Sequence, residues 1–363
     1  MNAAQHVTTL GQSLWLDNLS RSLLRDGTLE KMIADNGVSG VTSNPSIFQN
    51  ALATSPYYAN DLARLKTIEP DVERRYEALV IPDIQAACDL LLPTHEASGG
   101  NDGYVSLEVA PRWAYDAAQT VKEAQRLSAA VDRRNLLVKV PGTPEGLNAF
   151  EALTTLGINV NVTLLFSVAQ CQAAFDAYIR GLTARAAAGA DVRRSKAVAS
   201  LFLSRVDTLV DTLVDKQLTA IGTDEALSLR GRTAVAMAKL AYQAYLQTFR
   251  GDAFTALAKQ GATPQYLLWA STGVKNPDYA DLLYVEPLIG RETINTLPDK
   301  TLAALVDHGK AALTLETGVD EAAAQLAALA HLGVSMDAVG ERLQVDGVGS
   351  FEASFTQLLE QTA

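Results

Sequence analysis

Short apolar segments recur along the chain, each followed by a turn and then by a run with apolar residues at helical spacing. That rhythm predicts a parallel sheet whose strands are joined by crossover helices. Eight segments read as strands: SLWLDN (13–18), GVTSN (40–44), YVSLEV (104–109), NLLVKV (135–140), NVNVTLLF (159–166), AVASLFL (197–203), YLLWAS (266–271) and LLYVEPL (282–288). Eight βα units without a long linker favour a closed TIM-type (β/α)8 barrel over an open doubly wound sheet. The expectation is a single domain over residues 1–363. Residues 57–92 form a helical insertion between the second and third strands. Residues 318–363 form a C-terminal helical extension, packed outside the barrel or over one mouth.

Helix boundaries are legible at several points. Thr143 precedes Pro144, an N-cap followed by a proline in the first turn. Ser167 is placed to cap the helix SVAQCQAAFDAYIRGL. Residues 227–249 read as one long alanine-rich helix.

Strand residues alternate between two faces, so the parity of polar residues is informative. In YVSLEV, Ser106 and Glu108 share one face and Val105, Leu107 and Val109 the other. Asn159, Asn161 and Thr163 oppose Val160, Val162 and Leu164, while Lys139 lies on the face opposite Val138 and Val140. Ser200 and Phe202 oppose Ala199 and Leu201. Strands of a parallel barrel are expected to be apolar on both faces. The outer face must pack on helices, so the polar lane points inward, toward the strands' C-terminal ends where such barrels place their sites.

Composition narrows the chemistry. Of 363 residues, 48% are hydrophobic and 20% charged, which suits a globular core. The net charge of −11 argues against non-specific nucleic-acid binding. Cys88 and Cys171 lack paired spacing, and the four histidines form no HExxH or HxH motif, so no metal site is expected. No apolar run reaches membrane-spanning length and no secretory signal is visible, which leaves the cytoplasm as the expected compartment.

A lysine inside a strand is the feature that most needs explaining. A buried ammonium is costly unless paired, and burial favours the neutral, nucleophilic amine. Lys139 therefore reads either as a Schiff-base nucleophile or as a structural partner of Glu108 or Asp17. Asp17 reads as a catalytic acid/base or as the N-cap of a helix over residues 19–25. Glu108 reads as an acid/base or as a counter-ion to Lys139. Schiff-base chemistry needs an amine, a proton shuttle for dehydration and a base for the C–C bond. Lys139, Glu108 with Thr163, and Asp17 can fill those places, while Asn44 and Asn161 can hold sugar hydroxyls.

Six motifs together resemble the transaldolase family: WLDNLSR (15–21), GVTSNPSIF (40–48), SLEV (106–109), NLLVKVPGTPEG (135–146), NVTLLFS (161–167) and WASTGVKNP (269–277). They occur in the family's order and span most of the chain. The resemblance implies transfer of a dihydroxyacetone unit between sugar phosphates, in the pentose phosphate pathway, without cofactor or metal. It implies that Lys139 forms the Schiff base and that Asp17 is the acid/base for C–C cleavage. Glu108 and Thr163 would position a water for the imine steps. Thr42, Asn44, Asn161 and Ser200 would line the sugar, and Arg205, in SLFLSR, would bind phosphate.

Related small aldolases carry a tyrosine where this chain has Phe202, which favours transfer to an aldehyde over release of the unit. Shorter transaldolases carry an arginine after the seventh strand. Here Ser271 and Lys275 would cover that phosphate role, as in the longer bacterial branch. Two other readings remain: a Schiff-base aldolase releasing free dihydroxyacetone, and a non-catalytic sugar-phosphate-binding barrel.

Overall fold

A computed structural model describes residues 1–221 and 229–363. Eight parallel strands close into a barrel in chain order, with the first paired to the last. They are β1 (Gln12–Leu16), β2 (Val38–Thr42), β3 (Val105–Glu108), β4 (Leu136–Pro141), β5 (Val160–Leu165), β6 (Ala197–Phe202), β7 (Tyr266–Ala270) and β8 (Thr293–Leu297). The first seven overlay the first seven expected segments.

The eighth strand is a correction. Residues 282–288, read as a strand for their apolar content, are turns ending in a 3-10 turn at Glu286–Leu288. The true β8, TINTL, is polar enough to escape a hydrophobicity-based reading. The segment that was mistaken for it takes up polar donors from this strand and its neighbours. Asn295 Nδ2 donates to the Tyr284 carbonyl at 3.0 Å, and both Gln12 Nε2 and Trp269 Nε1 donate to the Leu288 carbonyl, at 2.7 and 3.1 Å. The 282–288 segment thus packs on the outside of β8 and its neighbours, and Tyr284, Val285 and Leu288 are buried there. Apolar content marks burial, not strand geometry.

The helices of the described residues begin with α1 (Ala3–Thr9), α2 (Arg21–Arg25), α3 (Thr28–Asn36) and α4 (Pro45–Thr54). The insertion before β3 contributes α5 (Ala59–Ile68) and α6 (Val72–Ala97). Next come α7 (Ala117–Val131), α8 (Pro144–Leu156), α9 (Val168–Ala187) and α10 (Ser204–Ile221). The chain continues with α11 (Thr233–Phe249), α12 (Asp252–Ala258), α13 (Asp299–His308), α14 (Val319–His331) and α15 (Met336–Thr362). Thr143 and Ser167 cap α8 and α9 as expected, accepting from the Gly146 and Gln170 amides. The alanine-rich helix starts at Thr233, not 227; residues 227 and 228 lie outside the described residues, and 229–232 are a turn.

Two features below the barrel's C-terminal mouth set up the site. Trp15 shares the face of Asp17 and is fully buried, its indole donating to Asp102 Oδ1 at 2.8 Å. Gly40 makes room for it: a Cβ there would stand 2.5 Å from the indole ring. Above the mouth, α15 packs on β5 and against α4, α6 and α10. The two helices of the C-terminal extension thus divide: α15 packs over the mouth, where Phe351 lines the cavity, and α14 packs on the outer helix α11. No single helix among the described residues is long and apolar enough to cross a membrane. The one pair that would pass by composition, α14 with α15, is bent by 85°.

Candidate active site

The polar lane predicted from strand parity forms one layer inside the barrel. Pairing places Glu108 beside Lys139, and Lys139 beside Asn161, across β3, β4 and β5. Lys139 Nζ lies 2.5 Å from Glu108 Oε1 and donates to the Ser43 carbonyl at 2.9 Å. Both side chains are more than nine-tenths buried. Apart from this ion pair, neither Glu108 oxygen has a hydrogen-bond partner among the described residues. Burial pushes the Glu108 carboxyl above its ordinary range, and the Lys139 charge opposes that rise. So Glu108 is a counter-ion to Lys139, and the ion pair sits where chemistry could also use it.

Lys139 lines a cavity of ≈210 Å3 at the C-terminal mouth. Ten of the twelve expected site residues reach it: Asp17, Thr42, Asn44, Lys139, Thr163, Ser200, Phe202, Arg205, Ser271 and Lys275. Glu108 and Asn161 stand just behind its wall. Asn161 is fully buried, donating to Ser106 Oγ at 3.1 Å and accepting from Ser200 Oγ at 2.6 Å. Those bonds fix the Asn161 amide and aim the Ser200 hydroxyl hydrogen at it.

Asp17 does not cap α2; Ser20 does, accepting from the Leu23 amide. Asp17 instead accepts from Thr42 Oγ1 at 2.7 Å, and Thr42 Oγ1 is 2.6 Å from Thr296 Oγ1 on β8. Burial raises the Asp17 carboxyl above the usual range, with the Thr42 bond and Lys139 pulling the other way. Two carboxylates of raised pKa flank one amine. Asn44 is the N-cap of α4: its Oδ1 accepts from the Ile47 amide at 3.0 Å and from Ser46 Oγ at 2.6 Å. The capping role occupies the oxygen and leaves the Nδ2 donors for the cavity it lines.

Thr163 sits at an irregularity. Opposite β6 the register slips between Val162 and Leu165, which pair with Ala199 and Leu201, so β5 carries one extra residue. Leu164 takes the left-handed conformation, φ +61°. A non-glycine residue there costs about 1–2 kcal/mol. The Thr163 hydroxyl is buried and has no hydrogen-bond partner among the described residues. A cavity of ≈10 Å3 touches Glu108, Lys139 and Thr163, about room for one water molecule.

The far end of the larger cavity is cationic. Arg205 lies in the first turn of α10, whose N-terminal amides favour an anion. No carboxylate among the described residues forms an ion pair with it. Its guanidinium stacks instead 5.6 Å from the Phe202 ring centroid and 5.9 Å from that of Phe351. Ser271, at φ +55°, is locked to the start of α10 by a 2.8 Å contact with Ser204 Oγ and a 3.1 Å bond from the Ser204 amide to its carbonyl. Lys275 is exposed at the rim.

Sequence reasoning missed Thr296, because β8 was misplaced, and Phe351, which reaches the cavity from α15. Strand parity carries no signal for a residue arriving from a helix 212 positions after Lys139. A larger cavity, ≈340 Å3, opens at the opposite mouth near Arg134, Arg193, Arg194 and Lys196. Arg134 and Arg193 there are paired with Glu96 and Asp191. The acidic cluster Glu73, Glu77 and Glu123 lies on the outer helices, where Arg126 bridges the latter two.

The family model described as "Transaldolase/Fructose-6-phosphate aldolase" matches residues 14–362. The chain is 75% identical to the transaldolase of Thiobacillus denitrificans over 361 residues, 99% of each protein. It is 50% identical to the transaldolase of Neisseria gonorrhoeae over 360 residues, again 99% of each. It is 47% identical to transaldolase 1 of Streptomyces coelicolor, covering 98% of this chain and 93% of that one. A barrel with a lysine–glutamate pair at its C-terminal mouth, matched end to end by these relatives, belongs to the transaldolase/fructose-6-phosphate aldolase family.

Proposed function

We propose that the chain transfers a dihydroxyacetone unit from a ketose phosphate to an aldose phosphate through a Schiff base on Lys139. Sedoheptulose 7-phosphate and glyceraldehyde 3-phosphate would give erythrose 4-phosphate and fructose 6-phosphate. The observation that carries this reading is the placement of Lys139. It is a buried side chain facing a cavity, beside two carboxyls of raised pKa, and the same cavity is lined by Arg205, which has no ion-pair partner among the described residues.

The roles follow from reach and protonation. Lys139 passes a proton to Glu108 across their ion pair, and the freed amine adds to the ketone carbon, forming a C–N bond and a carbinolamine as the C=O π bond opens. The carbinolamine hydroxyl leaves as water after taking a proton through a water held between Glu108 and Thr163. The resulting iminium draws electrons from the C3–C4 bond while Asp17 accepts the proton of the C4 hydroxyl. That bond breaks, the aldose phosphate departs and an enamine remains on Lys139. An incoming aldehyde forms the new C–C bond, Asp17 returns the proton to its oxygen, and water hydrolyses the imine. Ser200 and Asn44 would hold sugar hydroxyls, with Asn161 holding Ser200. Arg205, Ser271 and Lys275, which line the same cavity, would hold the phosphate together with the α10 N-terminus. No step calls for a metal, and activity is expected to persist in a chelator.

Borohydride added with fructose 6-phosphate should fix the imine as a secondary amine on Lys139, read by peptide mass spectrometry. No adduct, or an adduct on Lys275, would overturn the assignment. Release of free dihydroxyacetone is the competing reaction, and Phe202 disfavours it by offering no hydroxyl to activate water at that wall.

A further inference from the structure

Helix α15 meets the barrel through three positions in line: Gly340, Gln344 and Gly347. A Cβ at Gly340 would stand 2.9 Å from Ser167 Cβ, and one at Gly347 would stand 3.0 Å from Leu164 Cδ2. The helix backbone therefore rides close over the end of β5. Between the two glycines, buried Gln344 donates from Nε2 to the Gly142 carbonyl at 2.8 Å and to the Leu164 carbonyl at 3.1 Å. One amide thus uses both its hydrogens to join the ends of two catalytic strands. Gly142 lies three residues past Lys139, and its own amide donates to the Thr163 carbonyl at 2.7 Å. Leu164 is the residue held at φ +61°. A strained backbone persists only where its surroundings over-determine it, and here the tie comes from a helix remote in sequence.

We infer that Gln344 is a positioning residue for the imine steps, holding Leu164 in its left-handed conformation and so keeping the Thr163 hydroxyl beside Glu108. This rests on the reading of Thr163 given above. Without the amide, two buried carbonyls lose their donor. The bulge then relaxes and the Thr163 hydroxyl leaves the small cavity it shares with Glu108 and Lys139.

The test is rapid-quench borohydride trapping of the imine with fructose 6-phosphate in Gln344→Met, Thr163→Val and the double variant. Each single change should slow imine formation about tenfold with little change in KM, and the double should be no slower than Thr163→Val alone. A purely structural role would give additive losses in the double variant, which overturns the inference, as does an unchanged rate in Gln344→Met. If Thr163→Val alone leaves imine formation unchanged, the reading of Thr163 fails first. If only Thr163→Val is slow, the Gln344 inference fails by itself. Should Gln344→Met not fold, Gln344→Asn withdraws the donors by one methylene and carries the same comparison.

Discussion

Thr42 Oγ1 donates to Asp17 Oδ1 at 2.7 Å, so the hydroxyl that the sequence suggested for the sugar is committed to the carboxylate. The bond lowers the Asp17 pKa against the larger upward push of burial. In Thr42→Val the bond is lost and burial acts with less opposition, so the Asp17 pKa rises further. If the ionised carboxylate is the form that accepts the C4 proton, the acid limb of the kcat/KM profile moves to higher pH. The loss should be about tenfold at the acid end and smaller above it. An acid limb that stays in place would show that Asp17 does not govern it.

The Lys139–Glu108 pair makes a prediction about stability. Lys139→Met removes the one ion-pair partner that Glu108 has among the described residues, and such a loss typically destabilises by about 3–5 kcal/mol when the orphan stays charged. Burial already raises the Glu108 pKa and Lys139 opposes it, so without the lysine the folded-state pKa climbs higher. A group whose folded pKa exceeds its unfolded value stabilises the fold at low pH and loses that contribution as pH rises through the folded pKa. The variant should therefore lie closest to the parent in mildly acidic buffer and fall away as pH rises. Chemical denaturation at several pH values reads this directly. A constant deficit across the range would mean that Glu108 does not take up a proton.

Arg205 and Lys275 should not be equivalent. Arg205 is half-buried, stacked on Phe202 and set in the first turn of α10, whereas Lys275 is exposed at the rim. Arg205→Ala is expected to raise KM for phosphorylated ketoses about a hundredfold, a loss typical of a charge-assisted contact shielded from solvent. Lys275→Ala should cost about threefold, as for a solvated charge. Steady-state kinetics with fructose 6-phosphate and with unphosphorylated fructose separate the phosphate contribution, because neither variant should affect the unphosphorylated sugar.

Much of this site was legible because strand parity is a two-state signal. Glu108, Lys139, Asn161, Thr163 and Ser200 all carry the wrong polarity for a strand buried on both faces, and all take the inward face. The caps Thr143 and Ser167 were legible for an equally local reason, a side-chain oxygen meeting an amide three residues on. What escaped depends on distant partners. β8 looks too polar to be a barrel strand until the 282–288 segment accepts from its Asn295 amide on the outside. Gln344 and Phe351 sit on an amphipathic helix, where nothing local distinguishes them from surface residues of the same type. Asn44 was read as a sugar ligand from its amide chemistry and by resemblance, but half of its amide is spent on capping α4.

Phe202 offers the sharpest test of transfer against release. Its ring lines the cavity, packs 5.3 Å from the Phe166 centroid and supports the Arg205 guanidinium. Phe202→Tyr adds one oxygen at the ring edge and keeps the packing shape. A hydroxyl there can orient a water toward the enamine carbon, which would then be protonated instead of adding to an aldehyde. Protonation followed by imine hydrolysis releases free dihydroxyacetone, with the enamine's electron pair taking the proton and water supplying the ketone oxygen. The variant should turn over fructose 6-phosphate without an acceptor at least about tenfold faster than the parent, while transfer to erythrose 4-phosphate falls. A coupled assay for dihydroxyacetone and for glyceraldehyde 3-phosphate measures both products. Equal acceptor-independent rates in parent and variant would remove Phe202 from the control of the reaction's outcome and leave the choice between water and aldehyde to occupancy of the phosphate site.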